Sequence, residues 1–130
     1  MTGLTYLVVI IHIATATATV TVWGAMRLTA PTVLPESSSA RNWAARLLHL
    51  TALLGCASVG SGWSEHLVAR IVAIAAYLVA AGVGEAAALP AERRIRRGVS
   101  RDGDAQRFTR SVDIVLVSLA VIIAAMVAQY

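Results

Sequence analysis

The chain is 130 residues long, 58% hydrophobic and only 14% charged, with a mean hydropathy of +0.72. That is too apolar for a soluble domain and too short for more than one, so the composition implies a single integral membrane domain over residues 1–130. The formal charge of +4 arises from eleven arginines and no lysine. Ten of the arginines flank apolar runs, where orientation in a bilayer accounts for them, and no nucleic-acid partner is expected.

Hydropathy predicts four spans, at about 4–26, 43–62, 67–89 and 111–129, each close to the ~20 residues a helix needs to cross a bilayer. Small residues of the kind a signal peptidase prefers follow the first apolar stretch. No basic residue precedes it, however, so a retained span is expected. On this first helix His12, Thr15, Ala16, Thr19 and Trp23 share a face. Thr15, Thr17, Thr19 and Thr21 can each return a hydroxyl to a carbonyl one turn earlier; the functional alternative is a hydroxyl-lined face beside a pocket.

Between the first two spans, Pro31, Pro35 and Ser37 to Ser39 read as a turn-rich segment in which Ser39 is placed to cap the second helix. The second helix sets His49, Leu53, Cys56 and Gly60 on one face. Because that face also carries small residues, His49 is expected to point inward, with Cys56 as a packing residue. Only Trp63 to His66 separate the second and third spans, which predicts a tight antiparallel hairpin, and His66 is expected to be solvated at the outer mouth. Small residues recur every four positions at Ala52, Cys56 and Gly60, at Ala76, Ala80, Gly84 and Ala88, and at Ala120, Ala124 and Ala128. Such stripes predict close helix packing, within one chain or in a homo-oligomer.

The third connection, Pro90 to Arg110, holds seven arginines and reads as a solvated loop that sets orientation; a headgroup site or a docking surface for an acidic partner is the alternative. By the positive-inside rule the two arginine-bearing connections are cytoplasmic and both termini lie outside. Trp23 and Trp43 then fall at the inner interface and Trp63 at the outer one. The expected fold is therefore an all-α, multi-pass four-helix bundle of the cell membrane.

Ionisable side chains inside spans are costly and are the first place to look for function. His12, Arg46, His49, Glu85 and Asp113 qualify. Arg46, His49, Glu85 and Asp113 lie at similar depth near the inner side. They are expected either to lock the helices together as ion pairs or to form a catalytic or substrate-binding site with His49 as acid or base. His12 and His49 are the candidate cofactor ligands, yet the helix rise puts them about 9 Å apart in height, which is unfavourable for two axial ligands of one haem. The sequence contains no Gly-x-Ser-x-Gly elbow, Cys-x-x-Cys, Met-x-x-Met or His-x-His pair, and no metal site is expected.

The His12-Ile13 pair, Trp23-Gly24-Ala25-Met26 and Gly60-Ser61-Gly62-Trp63 resemble the small bacterial membrane-protein superfamily that includes the CopD domain and HemJ-like proteins. That resemblance implies an inner-membrane helical bundle with inward histidines able to hold haem or copper. Ala30-Pro31 followed by Trp43 and a basic connection is similar to anthrone-oxygenase-like four-helix proteins, which implies a lipophilic, polyketide-like substrate. Three functions stay open: a pocket for a haem-like or lipophilic ligand, a membrane-embedded enzyme working without metal, and a structural subunit of a membrane complex. Membrane lipid is a partner in all three.

Overall fold

The computed structural model describes residues 3–28, 43–59 and 66–128. The expected Ser39 cap, the turn prolines, Gly60, the Gly60 to Trp63 motif and the outer Trp63 anchor lie outside the described residues. Those residues fold into helices without strands: α1 (Gly3–Leu28), α2 (Ala44–Val59), α3 (Leu67–Val83), a π-helical turn (Gly84–Ala88), α4 (Leu89–Arg96) and α5 (Asp104–Val127). Three helical rods are long and apolar enough to cross a membrane: α1, the continuous run Leu67–Arg96, and α5. The 16 residues of α2 are apolar but shorter, rising about 24 Å at 1.5 Å per residue.

The helices pack around a ring in the order α2, α1, α5, α3, and α1 against α2 and α3 against α5 are the closest pairs. The link expected to form the hairpin lies outside the described residues, and among the described ones the seam between α2 and α3 is sparse. The reason lies in which residues interlock. From α1, His12, Thr19, Trp23 and Met26 are buried, and α2 answers them with Ala44 and Leu48. On α5 the buried stripe is Phe108, Val112, Val115 and Leu119 with Ser111 and Ser118, whereas Ala120, Ala124 and Ala128 are exposed. The alanine stripe of the last span is thus not its packing face; the three-and-four spacing of Phe108, Val112, Val115 and Leu119 wins.

The four alternating threonines of α1, Thr15 to Thr21, are each satisfied locally. Thr15 donates to the His12 carbonyl, Thr17 to Ile13, Thr19 to Thr15 and Thr21 to Thr17, at 2.7 to 2.9 Å. Thr19 also meets the Thr51 hydroxyl of α2 at 2.9 Å, a polar tie across the α1 to α2 contact. Trp23, expected as an interfacial anchor, is wholly buried instead and donates its indole N–H to the Ala44 carbonyl at 3.3 Å. Gly84 makes room for it, since a methyl there would come within 3.0 Å of Trp23 Cη2.

The third span runs past Pro90, where the sequence suggests that the helix stops, and continues to Arg96. A proline inside an α-helix lacks a donor and clashes with the carbonyl four residues back. Here the preceding turn is π-helical, with the Leu89 N–H bonded to the Gly84 carbonyl five residues earlier, and Pro90 stands at the start of the following α segment. The same turn explains the stripe of Ala80, Gly84, Ala88 and Glu92, all buried. Four-residue spacing drifts about 40° per step on an α-helix, and a wider turn takes up that drift.

The connection from α4 to α5 is compact rather than a long solvated loop. Arg94 clamps Asp104 with two bonds of 2.9 Å from Nε and Nη2, the Arg101 backbone N–H donates to the same carboxylate at 2.8 Å, and the Asp104 side chain is 1% exposed. Gly103 at φ 82° supplies the left-handed residue that turns the chain into α5. Asp104 stands two turns ahead of the apolar run that begins at Ser111. The Arg94 guanidinium, helped by the Arg101 N–H, holds its carboxyl well below the usual carboxylate range. A depressed carboxyl stabilises the fold fully above its unfolded-state pKa and loses that contribution as the pH falls from there through the folded-state pKa. The thermal midpoint of the wild-type protein in detergent should exceed that of Asp104→Asn at neutral pH, and the gap should close from about pH 5 downward. A gap that stays constant into acid would contradict the clamp.

Candidate functional site

The five ionisable residues singled out by the sequence sort into four separate places. Arg46 stacks its guanidinium over the Trp43 ring, 5.2 Å from the centroid. Helical side chains lean toward the N-terminus, so Arg46 reaches the residue three positions back rather than the carboxylates deeper in the bundle. Asp113 pairs with Arg27 at the end of α1, Nε to Oδ1 at 2.7 Å, and both side chains are roughly half exposed. The four-residue cluster expected from depth alone therefore divides, and only His49 and Glu85 meet.

His49 is the centre of that remaining group. Its Nε2 bonds to a Glu85 carboxylate oxygen and its Nδ1 lies 2.5 Å from the Tyr77 hydroxyl. The His49 and Tyr77 rings meet edge to face, with centroids 5.9 Å apart and planes at 82°. Three elements build the site: α2 supplies His49, α3 supplies Tyr77, and the π turn supplies Glu85. Tyr77 and Glu85 are eight residues apart, two turns along one rod, which brings them to either side of a ring entering from α2.

The chemistry of the donors fixes the protons. An ionised carboxylate only accepts, so Nε2 carries hydrogen and donates to Glu85. In the neutral ring Nδ1 is then the acceptor for the Tyr77 O–H. Glu85 thereby orients the ring and sets its tautomer, the logic by which a carboxylate supports a histidine base. Between them the three side chains can take up, hold and return one proton.

Burial places this group on the rim of the bundle rather than in its interior. The side chains of His49 and Glu85 are 41% and 52% exposed, and Leu53 and Cys56 on the same face of α2 are exposed as well. The expectation of an inward His49 is corrected by the rotation of α2, which turns Ala44 and Leu48 toward Trp23 of α1 and so turns His49 toward the open α2 to α3 seam.

His12 is the buried histidine, 5% exposed, and its ring approaches the Thr51 backbone of α2 without a well-formed hydrogen bond at either nitrogen. Its ring lies against Gly55 of α2, where an added methyl would come within 3.0 Å of Cε1. Gly55 is six residues beyond His49, which amounts to about 9 Å along the helix and about 120° around it. The two rings therefore occupy different heights and different faces of α2. A haem held between His12 and His49 does not fit this arrangement. Among the described residues, no three His, Cys, Asp or Glu side chains gather as metal ligands. His66 is exposed and opens α3 in the left-handed conformation, φ 56°.

Two functional partners escaped the sequence reading, Tyr77 and Arg27. Tyr77 had a signal, its two-turn spacing from Glu85. Arg27 had the signal of a lone cation ending the first span at the same level as Asp113. Comparison with protein-family models, with curated proteins and with solved structures finds no match for this chain.

Proposed function

We propose that the chain is a four-helix membrane protein with its arginine-rich end in the cytoplasm and both termini outside, and that Tyr77, His49 and Glu85 form its working site, an acid–base centre for a lipophilic ligand. The observation that carries this reading is the placement of His49 between a phenol and a carboxylate at the one seam where neighbouring helices scarcely touch. A histidine and a glutamate half open to hydrocarbon are costly unless something covers them. A lipophilic molecule entering from the bilayer does so, meeting Tyr77 and His49 with its polar group while its apolar body lies along Leu53 and Leu78, both exposed beside the seam. Imidazole exchanges protons near neutral pH, which suits it to general acid–base work on such a molecule.

The orientation is supported by the gathering of arginines at one end of the helices. The experiment is to purify wild-type protein and His49→Ala in parallel in a mild detergent and to extract and identify bound lipophilic molecules by mass spectrometry. A species carried by the wild type and lost from the variant is expected. Identical extracts from two equally folded proteins would overturn the proposal.

A further inference from the structure

A second feature shares no residue with the His49 seam and is independent of that site, though it rests on the membrane setting. A shallow groove of about 280 Å³ runs along α5, lined by Arg110, Asp113, Ile114, Val117 and Ser118. Its charge is confined to one end. Arg110 and Asp113 stand at the basic end of the bundle, and Ile114 and Val117 continue along the helix as exposed apolar wall.

The carboxylate in this groove would repel an anion, but it is already engaged: Arg27 holds Asp113 at 2.7 Å. Arg110 is exposed and pairs with no carboxylate among the described residues. Arg107, one turn before it and 57% exposed, makes only a long 3.7 Å contact with Asp104, whose carboxylate is taken by Arg94. Ser118 returns its hydroxyl to the Ile114 carbonyl, so it presents no unmet polar group to a chain lying over it. The groove thus offers the Arg110 guanidinium at its mouth, with the exposed Arg107 one turn before it, and a neutral apolar floor beyond.

We infer that this groove on α5 is a binding site for an anionic phospholipid of the inner leaflet, with Arg107 and Arg110 on the headgroup phosphate and one acyl chain laid along Ile114 and Val117. Arginine suits the role because its planar fork meets phosphate oxygens in pairs. Charge and shape both select the occupant: a soluble anion would use only the mouth, and an acidic protein segment would find no polar partners along the floor.

The test uses the full chain in mixed micelles with equal amounts of phosphatidylglycerol and phosphatidylcholine, read by native mass spectrometry for retained lipid. Phosphatidylglycerol should be retained in preference. Arginines near an anionic surface are each worth roughly fivefold in affinity, so R107Q/R110Q should reduce its retention roughly 25-fold. Val117→Trp, which fills the acyl seat without altering charge, should also release it, whereas R93Q/R97Q, outside the groove, should leave it bound. Equal retention of the two lipids, wild-type retention by R107Q/R110Q, or an equal loss in R93Q/R97Q would overturn the site. So would displacement of phosphatidylglycerol by inorganic phosphate together with no effect of Val117→Trp, which would identify a site for free phosphate.

Discussion

Trp23→Ala is expected to destabilise the folded protein by about 3 kcal/mol, the low end of the range for large aromatics in soluble cores, because transfer from water contributes less inside a bilayer. The residue is fully buried, donates to the Ala44 carbonyl, and fills the space that Gly84 leaves open. Its loss opens a cavity where α1, α2, α5 and the π turn converge. Gly84→Val should be destabilising for the reverse reason, since even a methyl at that position would come within 3.0 Å of Trp23 Cη2. The two substitutions should compensate, the double variant being more stable than the sum of the singles by at least about 1 kcal/mol. Unfolding in graded denaturing detergent, followed by circular dichroism, measures all four proteins. Strict additivity would mean that the indole and the glycine do not share one packing space.

On the proposed acid–base function, His49→Ala is expected to lower the rate of proton transfer to a bound ligand by about 10² to 10⁴-fold, the span attributed to a positioned acid or base. Glu85→Gln retains shape and an acceptor oxygen but withdraws the carboxylate that orients the ring and sets its tautomer, so it should act mainly on rate and little on ligand retention. Tyr77→Phe removes the hydroxyl on Nδ1 and should impair ligand retention as well as rate. With the molecule identified by extraction as substrate, rate and affinity can be followed separately in the three variants. Full activity in His49→Ala would remove the histidine from the chemistry, and an unchanged rate in Glu85→Gln would remove the carboxylate. Because both side chains are about half exposed, neither change should unfold the bundle.

Much of the architecture was legible in the order of residues. Apolar runs longer than a bilayer is thick can only be helices, and the threonines of α1 had carbonyls within reach whichever neighbour they faced. The face carrying His12, Thr19 and Trp23 was readable because its members recur at three- and four-residue intervals over one uninterrupted helix. What escaped were quantities that depend on a second helix. Depth predicted that Arg46, His49, Glu85 and Asp113 share a level, but rotation decides which of them touch. The rotation of α2 follows from Trp23 seeking Ala44 and Leu48, a long-range fit that periodicity within α2 does not contain. Cys56 and the alanines of α5 show the same limit, since small residues mark close approach only when another backbone lies opposite. Pro90 misled for a local reason: a helix stop and a π turn carry the same proline.

That π turn also sets a length constraint on the protein. Glu85 must face α2 while Arg94, nine residues later, must face Asp104 at the head of α5. Nine residues of regular α-helix would point these two side chains in opposite directions; the one surplus residue reduces the difference to about 80°. Straightening this turn into regular α-helix without removing a residue would swing the clamp about 100° away from its carboxylate, whereas removing one residue would leave eight residues of uniform helix and the same angle of about 80°. A regular helix in this segment therefore requires one residue fewer, and only at that shorter length would it keep Glu85 facing His49 and Arg94 facing Asp104.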